Sequence, residues 1–129
     1  PAFIIYEDDS VLAFMTNRPV NEGHTLIVPK KHYENIYEIP EEENAYLYKV
    51  VKRVAVAVRD SMAAEGIRLV QNNGLAAGQV IFHYHVHVIP LKLGEGFIHG
   101  KAYRHHTQGR IPEELEQDAQ KIKQKLQGL

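Results

Sequence analysis

The sequence predicts an α+β fold, an antiparallel sheet with helices laid on it, on three observations. Short apolar runs alternate with turn residues at the start of the chain, one long segment repeats apolar residues at three- and four-residue spacing, and two further apolar runs bracket a glycine-containing loop. In order, Phe3 to Tyr6 and Val11 to Met15 read as strands joined by the polar turn Glu7-Asp8-Asp9-Ser10. After the turn-rich segment 17–23, His24 to Val28 is a third strand, stopped at Pro29. Pro40 opens a long helix whose Leu47, Val50, Val51, Val54, Val58 and Met62 form one stripe until Gly66. Ile67 to Gln71 and Val80 to Ile89 then form a hairpin across the loop NNGLAAG. A last helix starts at Ile111-Pro112, with Leu115, Ala119, Ile122 and Leu126 on one side. No repeat or linker interrupts residues 1–129, which read as a single domain with its core in 3–92 and a C-terminal loop and helix in 93–129.

Composition narrows the classes of function. Fifteen Lys plus Arg against sixteen Asp plus Glu leave a formal charge of -1, which argues against a dedicated nucleic-acid binder or an anionic-membrane binder and for a small-molecule partner. With no cysteine there is no disulfide, no thiolate catalysis and no Cys-ligated zinc within these residues. No apolar run approaches the ~20 residues that span a bilayer. A soluble protein of the cytoplasm is expected. The chain enters at Pro1 and not at Met, which leaves room for a preceding segment.

The stretch HYHVHVIP, residues 83–90, carries the chemistry. If it is a strand, His83, His85, His87 and Ile89 share one face, with adjacent imidazole-bearing Cα atoms ~6.6 Å apart, and Tyr84, Val86 and Val88 face the core. Three imidazoles in a row are poor packing material, because each neutral ring has a donor and an acceptor to satisfy. Two readings follow. The row holds a catalytic metal, or the middle ring is a nucleophile whose second nitrogen is tied to an acceptor while its neighbours hold phosphate oxygens and supply a proton. The preceding loop, Asn72 to Gln79, favours the nucleophile. It is neutral and flexible, and Gly78 lets backbone N–H groups approach an anion, although alone it would pass for an ordinary hairpin turn. No carboxylate occurs between Gly66 and Gly94 to hold magnesium.

His83-Tyr84-His85-Val86-His87-Val88-Ile89 resembles the His-φ-His-φ-His-φ-φ signature of the histidine triad (HIT) family, nucleotide-binding and phosphoramidase-like branch. Segments 5–14, 23–32 and 72–90 resemble successive blocks of the same family, in family order. The resemblance implies a five-stranded antiparallel sheet with a long helix and a C-terminal helix, in a homodimer whose sheets join into one. It also implies a hydrolase or transferase that cleaves a nucleoside 5′-phosphoramidate, or a related bond, at the α-phosphorus through a nucleotidyl-histidine, with a purine nucleotide as small-molecule partner. By position His85 is the nucleophile, through Nε2, with its other nitrogen on the carbonyl of His83. His87 contacts phosphate and leaving group, and His24 extends a relay to the triad. Asn72, Gly78, Gln79 and Val80 fall on phosphate-side positions, and Phe14 and Thr16 on base- and ribose-side positions.

Two residues depart from the pattern. Thr16 stands where an Asp or Asn usually grips both ribose hydroxyls, and Val80 where many members carry Ser or Thr. No metal or cofactor is expected for catalysis. Prokaryotic relatives with an upstream Cys-X-X-Cys pair combine it with residues matching His32 and His83 in a structural zinc site; without such a segment His32 reads as a solvated loop residue. The rival activities are dinucleoside polyphosphate hydrolysis, where Gln usually replaces Asn72, and a nucleotide-sensing module with little turnover. His99, His105 and His106, with Lys101, Arg104 and Arg110, read as a solvated basic loop. Glu41-Glu42-Glu43 reads as a stabilising charge at a helix start.

Overall fold

A computed structural model describes residues 3–94 and 110–128. Five strands, β1 (Ile4–Glu7), β2 (Val11–Met15), β3 (Thr25–Pro29), β4 (Gly66–Val70) and β5 (Val86–Leu91), form one antiparallel sheet in the order β1-β2-β3-β5-β4. Helices α1 (Glu41–Met62) and α2 (Pro112–Gln127) complete the α+β fold expected from the sequence. The chain meanders through β1 to β3, crosses by α1 to the edge strand β4, and returns so that β5 inserts between β3 and β4.

The core lies where the apolar faces of α1 and the sheet meet. Val11, Ala13 and Met15 alternate inward along β2, and Val86 and Val88 do so on β5, joined by Tyr84 just before it. Leu47, Val50, Val51, Val54, Ala57 and Val58 are the buried stripe of α1, at the predicted spacing; Met62 is only half-buried. Burying each such side chain contributes roughly 1.5–3 kcal/mol, which makes this layer the main source of stability. The three glutamates do occupy the first turn of α1. The helix stops at Met62, earlier than the Gly66 expected, because Ala63 takes the left-handed conformation at φ 51° and its N–H returns to the Arg59 carbonyl. Gly66 instead opens β4.

The larger correction concerns β5. The strand expected from Val80 starts only at Val86, so His87 alone of the triad is on a ladder strand. The Gln79 side chain claims the preceding backbone. Its Oε1 accepts from Gly74 N–H, and its Nε2 donates to the Glu34 and Ile81 carbonyls. Tyr84 N–H goes to the Tyr33 carbonyl at 2.7 Å, outside the sheet. The alternation survives in extended form, since Tyr84, Val86 and Val88 are all fully buried.

α2 uses its predicted stripe: Leu115, Ala119 and Ile122 are buried and Leu126 packs against the core. Its start differs from expectation in one residue. Arg110, read as part of a solvated loop, is drawn in by Asp118, with Nη2–Oδ1 at 2.8 Å and side-chain exposures of 15% and 3%. The other basic and histidine positions of that stretch, His99, Lys101, Arg104, His105 and His106, lie outside the described residues.

Two predictions follow from these charges. Arg110→Ala strips a buried carboxylate of its partner and lowers the unfolding free energy by about 3–5 kcal/mol, toward the lower end because the pair is not wholly dry; urea denaturation measures it. Asp8 is raised by partial burial, but hydrogen bonds from the Tyr46 and Tyr6 hydroxyls and from Ser10 and Val11 N–H outweigh that and take its carboxyl from 3.8 to about 2. A folded-state value below the unfolded one means that Asp8 stabilises above pH 3.8 and loses this as pH falls toward 2. Asp8→Asn should therefore flatten the stability-versus-pH curve across that window and leave its slope near neutrality unchanged.

Candidate active site

Four histidines converge from two parts of the chain, His24 ahead of β3 and His83, His85 and His87 around the start of β5, and their hydrogen bonds fix which nitrogen of each carries a proton. His24 precedes β3 and is 3% exposed. Its Nδ1 lies 3.0 Å from Val20 N–H, which can only donate, so that nitrogen must accept and the proton of the neutral ring sits on Nε2. His24 Nε2 lies 2.9 Å from His87 Nδ1 and therefore donates to it. His87, accepting at Nδ1, carries its own proton on Nε2. The turn that places His24 depends on Gly23, whose φ of +89° suits glycine and whose Cβ, were there one, would stand 2.6 Å from Met62 Cγ.

The same reasoning leaves a free lone pair on His85. His85 Nδ1 lies 2.7 Å from the His83 carbonyl oxygen, a pure acceptor, so Nδ1 is the protonated nitrogen and Nε2 keeps its lone pair. The His85 and His87 rings stand edge to face with centroids 5.0 Å apart. A lone pair and a proton are thus presented side by side. The His83 ring turns away: its Nε2–H donates to the Pro29 carbonyl at 2.9 Å, and its Nδ1 accepts from His32 Nδ1 at 3.2 Å. His83 thus meets His85 through its carbonyl, and of the two flanking rings expected to hold phosphate only that of His87 stands against His85. His32 is exposed but bonded, and so is more than a solvated loop residue.

The loop beside the histidines is tightly made. Gly78 ends the 3-10 turn Leu75–Ala77 at φ 91°, its N–H donates to the Leu75 carbonyl, and the Gln79 N–H donates to the Gly74 carbonyl. Those two N–H groups, expected to cradle phosphate, are engaged within the loop, and the Gln79 side chain is buried in it. Sequence reasoning missed this bracing role; the signal was a lone amide side chain next to an apolar run. Asn72 lies alongside Gly78, with its Nδ2 3.9 Å from where a Cβ of residue 78 would be. Val80 is 79% exposed. Phe14 and Leu26, paired across β2 and β3, lie on the sheet face of His87, half-buried. Thr16 is 9% exposed, and its Oγ1 accepts from Arg18 N–H at 3.1 Å.

The donor set for a structural zinc ion is half present. Two nitrogens on a tetrahedral ion with ~2.0–2.1 Å bonds stand ~3.3 Å apart, and His32 Nδ1 and His83 Nδ1 are separated by 3.2 Å. They would supply two ligands; among the described residues no group of three or more His, Cys, Asp or Glu completes such a site. Also among the described residues, no helix is long and apolar enough to cross a membrane.

Comparison with known proteins agrees with this geometry. A HIT protein of Bacillus subtilis strain 168 is 39% identical over 126 residues, 98% of this chain and 86% of the relative. The adenylylsulfatase HINT3 of Arabidopsis thaliana is 36% identical over 107 residues, 83% of this chain and 54% of the relative. Among solved structures, the histidine triad nucleotide-binding protein ST2152 of Sulfolobus tokodaii strain 7 superposes with a TM-score of 0.88 at 39% identity, covering 100% of this chain and 86% of that one. A zinc-bound histidine triad family protein of Mycobacterium smegmatis gives 0.82 at 33% identity, covering 99% and 86%. The HIT domain model matches residues 1–93, the span that carries the sheet, α1 and all four histidines, and on that match the chain belongs to the HIT domain family.

Proposed function

We propose that the protein is a nucleotide hydrolase or transferase that cleaves a nucleoside 5′-phosphoramidate, or a related bond, at the α-phosphorus through a nucleotidyl-His85 intermediate. The observation that carries this is the 2.7 Å bond from His85 Nδ1–H to the His83 carbonyl, which leaves Nε2 as the reacting atom. In the first step the Nε2 lone pair forms a bond to phosphorus while the phosphorus–nitrogen bond to the leaving group breaks, and the departing amine takes the proton of His87 Nε2 as that ring regains one from solvent. The positive charge that grows on the His85 ring is held by the carbonyl already bonded to it. In the second step water attacks phosphorus and loses its proton to solvent, and the bond to His85 breaks to release the mononucleotide. His24 holds His87 in the one tautomer that serves the first step.

The nucleoside is assigned to the surface around Phe14 and Thr16, and the phosphate side to Asn72, Gly78, Gln79 and Val80 with His87. Gln79 contributes by fixing the shape of the loop. With Thr16 Oγ1 engaged by Arg18 N–H, ribose recognition is weaker than a carboxylate would give. The ligand is read as a purine nucleotide of AMP type and the working unit as a homodimer. The similarity to the Arabidopsis adenylylsulfatase supports chemistry at the α-phosphorus of an adenylyl group.

The test is AMP release from adenosine 5′-phosphoramidate and, separately, from a diadenosine polyphosphate, with and without EDTA. Release that survives EDTA and vanishes in His85→Ala, with mononucleotide binding retained, is the expected result, and the preferred substrate assigns the branch. Residual turnover in that variant would remove His85 as nucleophile. His87→Ala should slow amine-leaving substrates by about 10²–10⁴-fold yet leave much of the rate for a nitrophenyl ester of AMP, whose leaving group departs without a proton; steady-state kinetics on the two substrates checks the contrast.

A further inference from the structure

A second cleft lies behind the sheet, away from the histidines. β1, the first half of α1 and the last turns of α2 meet around a space of about 530 Å3, inside the ~300–1,000 Å3 range of small-molecule sites. Its floor is apolar: Ile5 and Val50 are each 4% exposed, and Leu126 packs on the same core. His87 points to the opposite face of the sheet, since Val86 and Val88 on either side of it belong to that core.

The rim is cationic. Lys49 and Arg53, one turn apart on α1, and Lys123 of α2 line the opening. Among the described residues none of the three makes an ion pair. The acidic groups nearby are already engaged. Glu7, also on the rim, is bridged to Lys30 at 2.6 Å, and Asp8 accepts from the hydroxyls of Tyr6 and Tyr46 and from two backbone N–H groups. Three like charges around an apolar floor repel one another, and the potential they create favours an anion that also has an apolar body.

We propose that this cleft is a second binding site, for a small amphipathic anion: an aromatic or short-chain sulfonate, carboxylate or phosphate, with its apolar part against Ile5, Val50 and Leu126 and its charge among Lys49, Arg53 and Lys123. The site is independent of the chemistry assigned to the histidines. Its position between α1 and α2 ties occupancy to the seating of the C-terminal helix.

The experiment uses 8-anilinonaphthalene-1-sulfonate as probe, the uncharged N-phenyl-1-naphthylamine as control, and fluorescence titration of the whole protein. A single saturable site is expected, about tenfold tighter for the anion than for the neutral probe, unchanged by saturating AMP. Amide shift changes on adding the sulfonate should centre on Lys49, Arg53, Lys123 and Leu126. The double variant Lys49→Glu, Arg53→Glu should weaken binding about tenfold or more with AMP release from adenosine 5′-phosphoramidate unaltered. Equal affinity for both probes, displacement by AMP, shift changes centred elsewhere, or no saturable binding to the wild-type protein would each overturn the proposal.

Discussion

A neutral imidazole can donate through one nitrogen and must accept through the other, and the site is built on that constraint. A main-chain N–H can only give and a carbonyl can only take. By placing Val20 N–H against His24 and the His83 carbonyl against His85, the fold leaves each ring one neutral arrangement. The proton of His87 and the lone pair of His85 follow from these two backbone groups. Backbone groups alone suffice to orient either ring.

Holding those backbone groups still is the work of the hydrophobic layer. A net hydrogen bond contributes about 0.5–1.5 kcal/mol and burial of a large apolar side chain roughly 1.5–3. The stripe of α1 against Val86, Val88 and Tyr84 therefore decides that the fold forms, and the polar contacts decide which way the rings face. Tyr84 shows both forces at once. Its ring is fully buried, its hydroxyl bonds Asn44 at 2.6 Å, and burial, ahead of its coupling to Tyr48, pushes that hydroxyl above its ordinary value. The loop before it is fixed by polar means alone, through the Gln79 side chain and the mutual Gln71–Asn73 amide pair, whose Asn73 Oδ1 also holds Ile36 N–H.

The two departures from the HIT pattern, Thr16 and Val80, have opposite surroundings, one buried and one exposed. Thr16 turns its hydroxyl to the backbone of its own turn. Val80 presents an exposed apolar surface where a hydroxyl would stand in many members, and Leu75 and Ile81 beside it are also largely exposed. Neither residue takes part in the hydrogen bonds that orient His24, His85 and His87.

Periodicity and turn chemistry in the sequence were enough for the α+β class, the five strands and the apolar stripes of both helices, because these depend on the spacing of side chains along one local element. The HIT motif singled out His85 and His24 by resemblance. The tertiary structure alone decided the rest. The strand break before Val86, the early end of α1 at Ala63, the burial of Arg110 by Asp118 and the pairing of His32 with His83 each join residues remote in sequence or turn on a backbone conformation that leaves no local pattern. The proton on each imidazole is of the same kind: it is set by acceptors and donors at Pro29, Val20 and the backbone of residue 83, and a sequence records which rings are present but not which partner each one meets.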